Sequence, residues 1–179
     1  METHVESLFA AWEGFYVIVG TSAAALTGLM FVVITLLADS QRRRTLPMIN
    51  AFATPTVVHF TAVVALSAGM AAPWSGAHLI STLLALLAVA GLVYVAIVLR
   101  RLRRDSEDYK PVKEDWIWHV IVPAISYLVL FASHVGIRNH LSWAPYVVGA
   151  VSVALLADGI HNSWDMVTYM VATEPREKA

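Results

Sequence analysis

The 179-residue chain has no cysteine, which excludes disulfides, thiolate metal sites and iron–sulfur clusters. Charge is scarce: Asp, Glu, Lys and Arg make up 14% of residues, against roughly a quarter in ordinary soluble domains. A net charge of −1 by itself says nothing about nucleic acid, and no such partner is expected because membrane topology accounts for the basic residues. Met1 to Gly14 holds Glu2, Glu6 and Glu13 but neither Lys nor Arg. The basic start of a secretory signal is therefore missing, and the first apolar segment, too long for a signal core, is expected to stay in the mature chain. There is no phosphate-binding glycine loop, no G-x-S-x-G elbow and no H-E-x-x-H pair. Ser163, His161 and Asp165 lie too close on one helix to converge on a substrate, so no enzyme is expected. None of the apolar segments contains Lys, which excludes a retinal Schiff base, and no cofactor is expected.

What the chain has in abundance is apolar sequence, 58% of its residues. A bilayer core about 30 Å thick needs roughly 20 residues of helix, and five segments meet that need: about 15–38, 50–72, 78–99, 116–135 and 144–171. The gaps between them sort the basic residues. Arg42, Arg43, Arg44, Arg100, Arg101, Arg103, Arg104, Lys110, Lys113, Arg176 and Lys178 fall in alternate gaps or at the C-terminus, and Arg138 alone falls in the other set. Cytoplasmic loops carry such an excess, so the expected fold is all-α, one five-helix transmembrane domain with its N-terminus outside and its C-terminus cytoplasmic. Trp12, Tyr16, Trp74, Trp116, Trp118, Trp143, Tyr146 and Tyr169 cluster at the segment ends, as interfacial anchors do. Lipids are the expected surroundings, and the arginine clusters also suit anionic headgroups.

Within the first segment Gly20, Ala24 and Gly28 recur every four residues. That spacing lets helix backbones approach closely, either within the chain or against a second copy. In the second segment Pro55 removes a backbone donor and frees the carbonyl of Ala51, so a kink with a hydrated pocket is expected there. Ionisable residues inside a membrane are costly and point to function. The fifth segment holds four polar residues, Asp158, His161, Asn162 and Asp165, at spacings that share one helix face. The second contributes His59 at a matching depth, and Thr27 of the first lies near the same layer. His59, Thr27, Asp158, His161, Asn162 and Asp165 thus form a candidate proton or cation pathway if the first, second and fifth helices are neighbours. A histidine beside carboxylates can exchange protons near neutral pH. Imidazole and carboxylate also suit Zn, Fe or Mn, making His59, His161 and Asp165 candidate metal ligands, and His59 with His161 the one candidate haem pair. His119 and His134 read as interfacial, and His140 as solvated.

The stretch Trp12–Gly20 (WEGFYVIVG) through Ala24–Val32 (AALTGLMFV), with a fainter echo in His161–Asp165 (HNSWD), resembles a group of small bacterial polytopic proteins, some labelled modulators of the FtsH protease. The resemblance implies a five-span protein of the bacterial inner membrane and no activity. The expected function is a homo-oligomer that passes protons or cations, a channel forming between protomers. The alternatives are a structural or regulatory membrane protein whose polar stripe packs helices or binds a protein partner, and a metal- or haem-binding one.

Overall fold

In the computed structural model the described residues are 2–39, 54–74, 76–104 and 113–172, with side-chain surroundings from 10–36, 54–74, 76–103, 113–114 and 116–168. The start of the second expected span at Asn50, the Arg42 to Arg44 run, Ala51, Lys110, Arg176 and Lys178 lie outside them. Among the described residues, all regular structure is helical: α1 (Glu2–Asp39), α2 (Thr54–Ala71), α3 (Ala77–Arg104), α4 (Val122–Arg138) and α5 (Ala144–Ala172). Five stretches are long and apolar enough to cross a bilayer: Ala10–Leu36, Thr54–Ala71, Ala77–Arg103, Ile117–Arg138 and Ala144–Thr168. The protein is a multi-pass membrane protein by helix length and hydropathy.

The bundle is built around α5, which packs against α2 on one side and α4 on the other, with α1 touching it more lightly. The two most extensive pairings are α1 on α2 and α3 on α4. Between bilayer-spanning helices no hydrophobic effect drives association, so close packing and small residues must supply the contact. Two glycines mark where this is tightest. A Cβ on Gly91 of α3 would fall 2.3 Å from ring carbons of Tyr127 on α4, and one on Gly159 of α5 would fall 2.4 Å from the ring of Phe60 on α2. Each glycine is a notch that receives an aromatic ring from the neighbouring helix.

The small-residue repeat of α1 divides. Gly20 packs within the chain, where a Cβ would meet Ser67 of α2 at 2.7 Å, and Ala23 beside it is buried. Ala24 is exposed, and a Cβ on Gly28 would have nothing within 4 Å. The expected stripe of Gly20, Ala24 and Gly28 is therefore not one packing face. Every fourth residue advances about 40° around a 3.6-residue helix, enough to carry the stripe off a single neighbour. Pro55 is buried in the first described turn of α2. The expected kink hinged on the carbonyl of Ala51, which lies outside the described residues.

A turn at Lys113–Trp116 and a π-helical segment at Ile117–Ile121 lead into α4. Proline supplies the cause. Pro123 cannot donate to the carbonyl of His119, and its ring clashes there in a regular α-helix. The chain widens its turn instead, and the N–H of Val122 bonds the carbonyl of Ile117, five residues back. At the other end α4 closes in a left-handed cap at His140 (φ 57°). The N–H of Leu141 bonds Gly136 O at 2.9 Å and that of His140 bonds Ile137 O at 3.1 Å. This is the paired-bond pattern that ends many helices, usually with glycine at the left-handed position.

Candidate functional site

Most hydroxyls of the spans are satisfied on their own helices. Thr27 donates to Ala23 O at 2.8 Å, Thr61 to Val57 O at 2.7 Å, Ser152 to Val148 O at 2.9 Å and Ser163 to Gly159 O at 2.7 Å. Such back-bonding to a carbonyl one turn earlier is how Ser and Thr sit in apolar helices. Thr27 thus gives its hydroxyl proton to its own backbone.

His59 and Asp158 behave differently. Both are fully buried, at 1% and 0% exposure, and the Nε2 of His59 lies 3.5 Å from Oδ2 of Asp158. α2 presents the imidazole and α5 the carboxylate, and the packing of those two helices brings them together. The other ring nitrogen, Nδ1, is 3.0 Å from the hydroxyl of Tyr127 on α4. The arrangement is self-consistent when Nε2 carries the proton and Nδ1 accepts from Tyr127. Asn162, also fully buried, donates from Nδ2 to Oδ2 of Asp158 at 3.2 Å. The ring of Tyr94, from α3, stands edge-on to His59 with centroids 6.1 Å apart. Four helices therefore meet at one imidazole.

Neither tyrosine was anticipated. Their signal was position: Tyr and Trp favour the ends of membrane spans, whereas Tyr94 and Tyr127 sit well inside theirs. Counting from the end where α3 stops at its arginines, the basic end, a helical rise of about 1.5 Å per residue puts Tyr94, Tyr127 and Asp158 all roughly 15 Å in. A phenol at mid-depth needs a polar partner, and Tyr127 has one.

The polar face of α5 is not one cluster. Asp158 and Asn162 turn inward. His161 and Asp165 are 33% and 44% exposed and pair with each other, Nε2 to Oδ2, at 3.1 Å. That contact is electrostatic, since Nε2 of His161 has no aligned hydrogen-bond partner. The His161 ring stacks on Trp118 of the π-helical segment, centroids 3.9 Å apart and planes 24° apart. The two histidines thus have different partners, and among the described residues no three of His, Cys, Asp and Glu gather as metal ligands. His59, His161 and Asp165 do not make one metal-binding group, nor do His59 and His161 make a haem pair. His119, two residues inside the end of the span Ile117–Arg138, is buried within the bundle.

No family model, curated protein or solved structure matches the chain. The functional reading rests on the chemistry of these residues.

Proposed function

We propose that the protein conducts protons across its membrane through the His59–Asp158 pair inside each protomer. The observation that carries this reading is an ionisable pair buried at mid-depth whose hydrogen bonding is left open: Oδ1 of Asp158 and Oδ1 of Asn162 are buried with no hydrogen-bond partner in the protein. A purely structural cross-link would be expected to close its bonds, because each buried unsatisfied group costs about 1–3 kcal/mol. Free acceptors beside a titratable pair suit a group that takes up and hands on O–H or N–H protons. In one cycle a proton arriving at Nδ1 from the Tyr127 side makes the imidazolium, whose Nε2 proton passes to Oδ2 and leaves neutral imidazole and carboxylic acid. The acid then releases its proton onward, and the imidazole returns to its starting tautomer before the next proton reaches Nδ1. At 3.5 Å the pair stands beyond the usual N–H···O range of 2.7–3.2 Å, so transfer requires the side chains to close by a few tenths of an ångström. A proton rather than a metal cation is favoured because both members of the pair are fully buried and, among the described residues, no third His, Cys, Asp or Glu joins them as a metal ligand.

Purified protein in liposomes with a trapped pH indicator and an imposed potassium potential provides the test. Wild type is expected to pass protons above empty liposomes, and Asp158→Asn to lower that flux at least about tenfold, the scale of a lost acid–base group. Equal flux in both, or none in wild type, defeats the reading.

A structural role is the second reading, favoured by the same imidazole tying α2 to α4 and α5. It predicts a silent wild type and a lower unfolding temperature for Asp158→Asn. We also propose self-association of the protein in the bacterial inner membrane through the outward side of α1 at Ala24 and Gly28. Because the chain has no cysteine, Gly28→Cys should give a clean disulfide-linked dimer on oxidation, and its absence would argue against that face. The path itself lies within one chain and does not require the oligomer.

A further inference from the structure

We propose that His161 and Asp165, held by Trp118, form the mouth through which protons enter or leave the buried pair at the basic end of the bundle. This inference rests on the proton-conducting reading. Exposure along α5 supports it first. Asp158 and Asn162 are fully buried, whereas His161 and Asp165, further along the same helix, are 33% and 44% exposed. Asp165 lies in the last turn of the apolar stretch Ala144–Thr168, where side chains reach the interface. Residues three apart on a helix are neighbours, with roughly 5–6 Å between Cβ atoms. His161 is therefore one turn from Asp158, while its Nε2 is 3.1 Å from Asp165. A titratable side chain stands at each step between the surface and the interior.

The ring of His161 is also held in place. Trp118 stacks on it at 3.9 Å, and Trp118 belongs to the π-helical segment that Pro123 imposes on the approach to α4. Single-turn π-segments recur at functional sites. Nε2 of His161 is buried under this stack without an aligned hydrogen bond, although its ring is partly exposed. It is shielded from bulk water and faces a carboxylate. In the outward transfer, the acid form of Asp158 gives its proton to the ring of His161 and becomes a carboxylate. The imidazolium so formed passes a proton from Nε2 to the Asp165 carboxylate and returns to neutral imidazole. The other titratable or charged groups on the helical segments at this end include Asp158, Asp165, His119, Lys113, Glu114 and the arginines that close α3, Arg100, Arg101 and Arg103. Trp118 is a positioning residue and touches no transferred proton.

The same liposomes test this inference with the full chain. His161→Ala is expected to lower proton flux at least about tenfold, and millimolar imidazole on the basic side to restore part of it by replacing the lost carrier. Imidazole should not help Asp158→Asn, whose defect lies in the interior. Trp118→Phe keeps a stacking ring and should stay near wild type, while Trp118→Ala should slow flux and respond to imidazole. Should Asp158→Asn abolish flux while His161→Ala retains all of it, the mouth is wrong and the conducting pair stands. A flux lost in His161→Ala but unmoved by imidazole, with His161→Asn equally unresponsive and folded by circular dichroism, overturns the mouth as well. A wild type no faster than empty liposomes removes both.

Discussion

At His59 the two ring nitrogens answer to different helices, Nδ1 to Tyr127 and Nε2 to Asp158. A residue so placed is expensive to disturb. Removing one member of a buried charged or hydrogen-bonded pair typically costs about 3–5 kcal/mol, because the survivor is left buried without its partner. Much of that penalty belongs to the survivor, so replacing both should cost less than the sum of the single changes. We expect His59→Leu and Asp158→Leu to be non-additive by at least about 1 kcal/mol in reversible unfolding from mixed micelles, toward the upper end seen for polar pairs in membrane proteins. Additivity would mean that the two side chains do not sense each other. His161 and Asp165, half-exposed and paired on one helix, are expected to contribute far less to stability. Stability and flux should therefore separate the two pairs.

At the scale of the helices, glycine notches set the site's geometry. The ring of Tyr127 reaches His59 because Gly91 of α3 leaves room for it. Gly91→Ala would put a methyl group into ring carbons of a fully buried side chain, and overpacking of this kind costs about 1–3 kcal/mol. Gly28→Ala is the matched control, since nothing lies within 4 Å of the added carbon. We expect Gly91→Ala to lower unfolding free energy by about 1–3 kcal/mol and to slow proton flux. Gly28→Ala should stay within about 0.5 kcal/mol of wild type. A neutral Gly91→Ala would show that Tyr127 has freedom to move, and its bond to His59 would lose its claim to rigidity. Pro123 acts on the same scale: it widens the turn at Ile117–Ile121, the segment that carries Trp118 to His161.

For the whole molecule, the five candidate spans lead us to expect the chain ends on opposite sides of the bilayer. The distribution of Lys and Arg adds the expectation of a cytoplasmic C-terminus. Reporter fusions at the two ends should give opposite compartments, with the C-terminal fusion active in the cytoplasm. Both ends in one compartment would undo the span count and with it the depth of His59 and Asp158. Helix number could be read from the chain, because bilayer thickness and the cost of an unpaired backbone group leave few solutions, whereas depth counting matched His59 to His161 and packing paired it with Asp158. The membership of the site could not be read from the chain. Spacing placed Asp158, His161, Asn162 and Asp165 on one face of α5, and only packing against α2 and α4 turned two of them inward and left two at the rim. Thr27 was expected in the polar layer and proved to be bonded to its own helix. Tyr94 and Tyr127 were passed over because aromatic residues usually mark the ends of spans. Local periodicity constrains a helix against the bilayer, which is a uniform solvent and needs no knowledge of neighbours. Which side chain meets which depends on how helices far apart in the chain fit together, and that was settled by the notches at Gly91 and Gly159 and by a proline-widened turn.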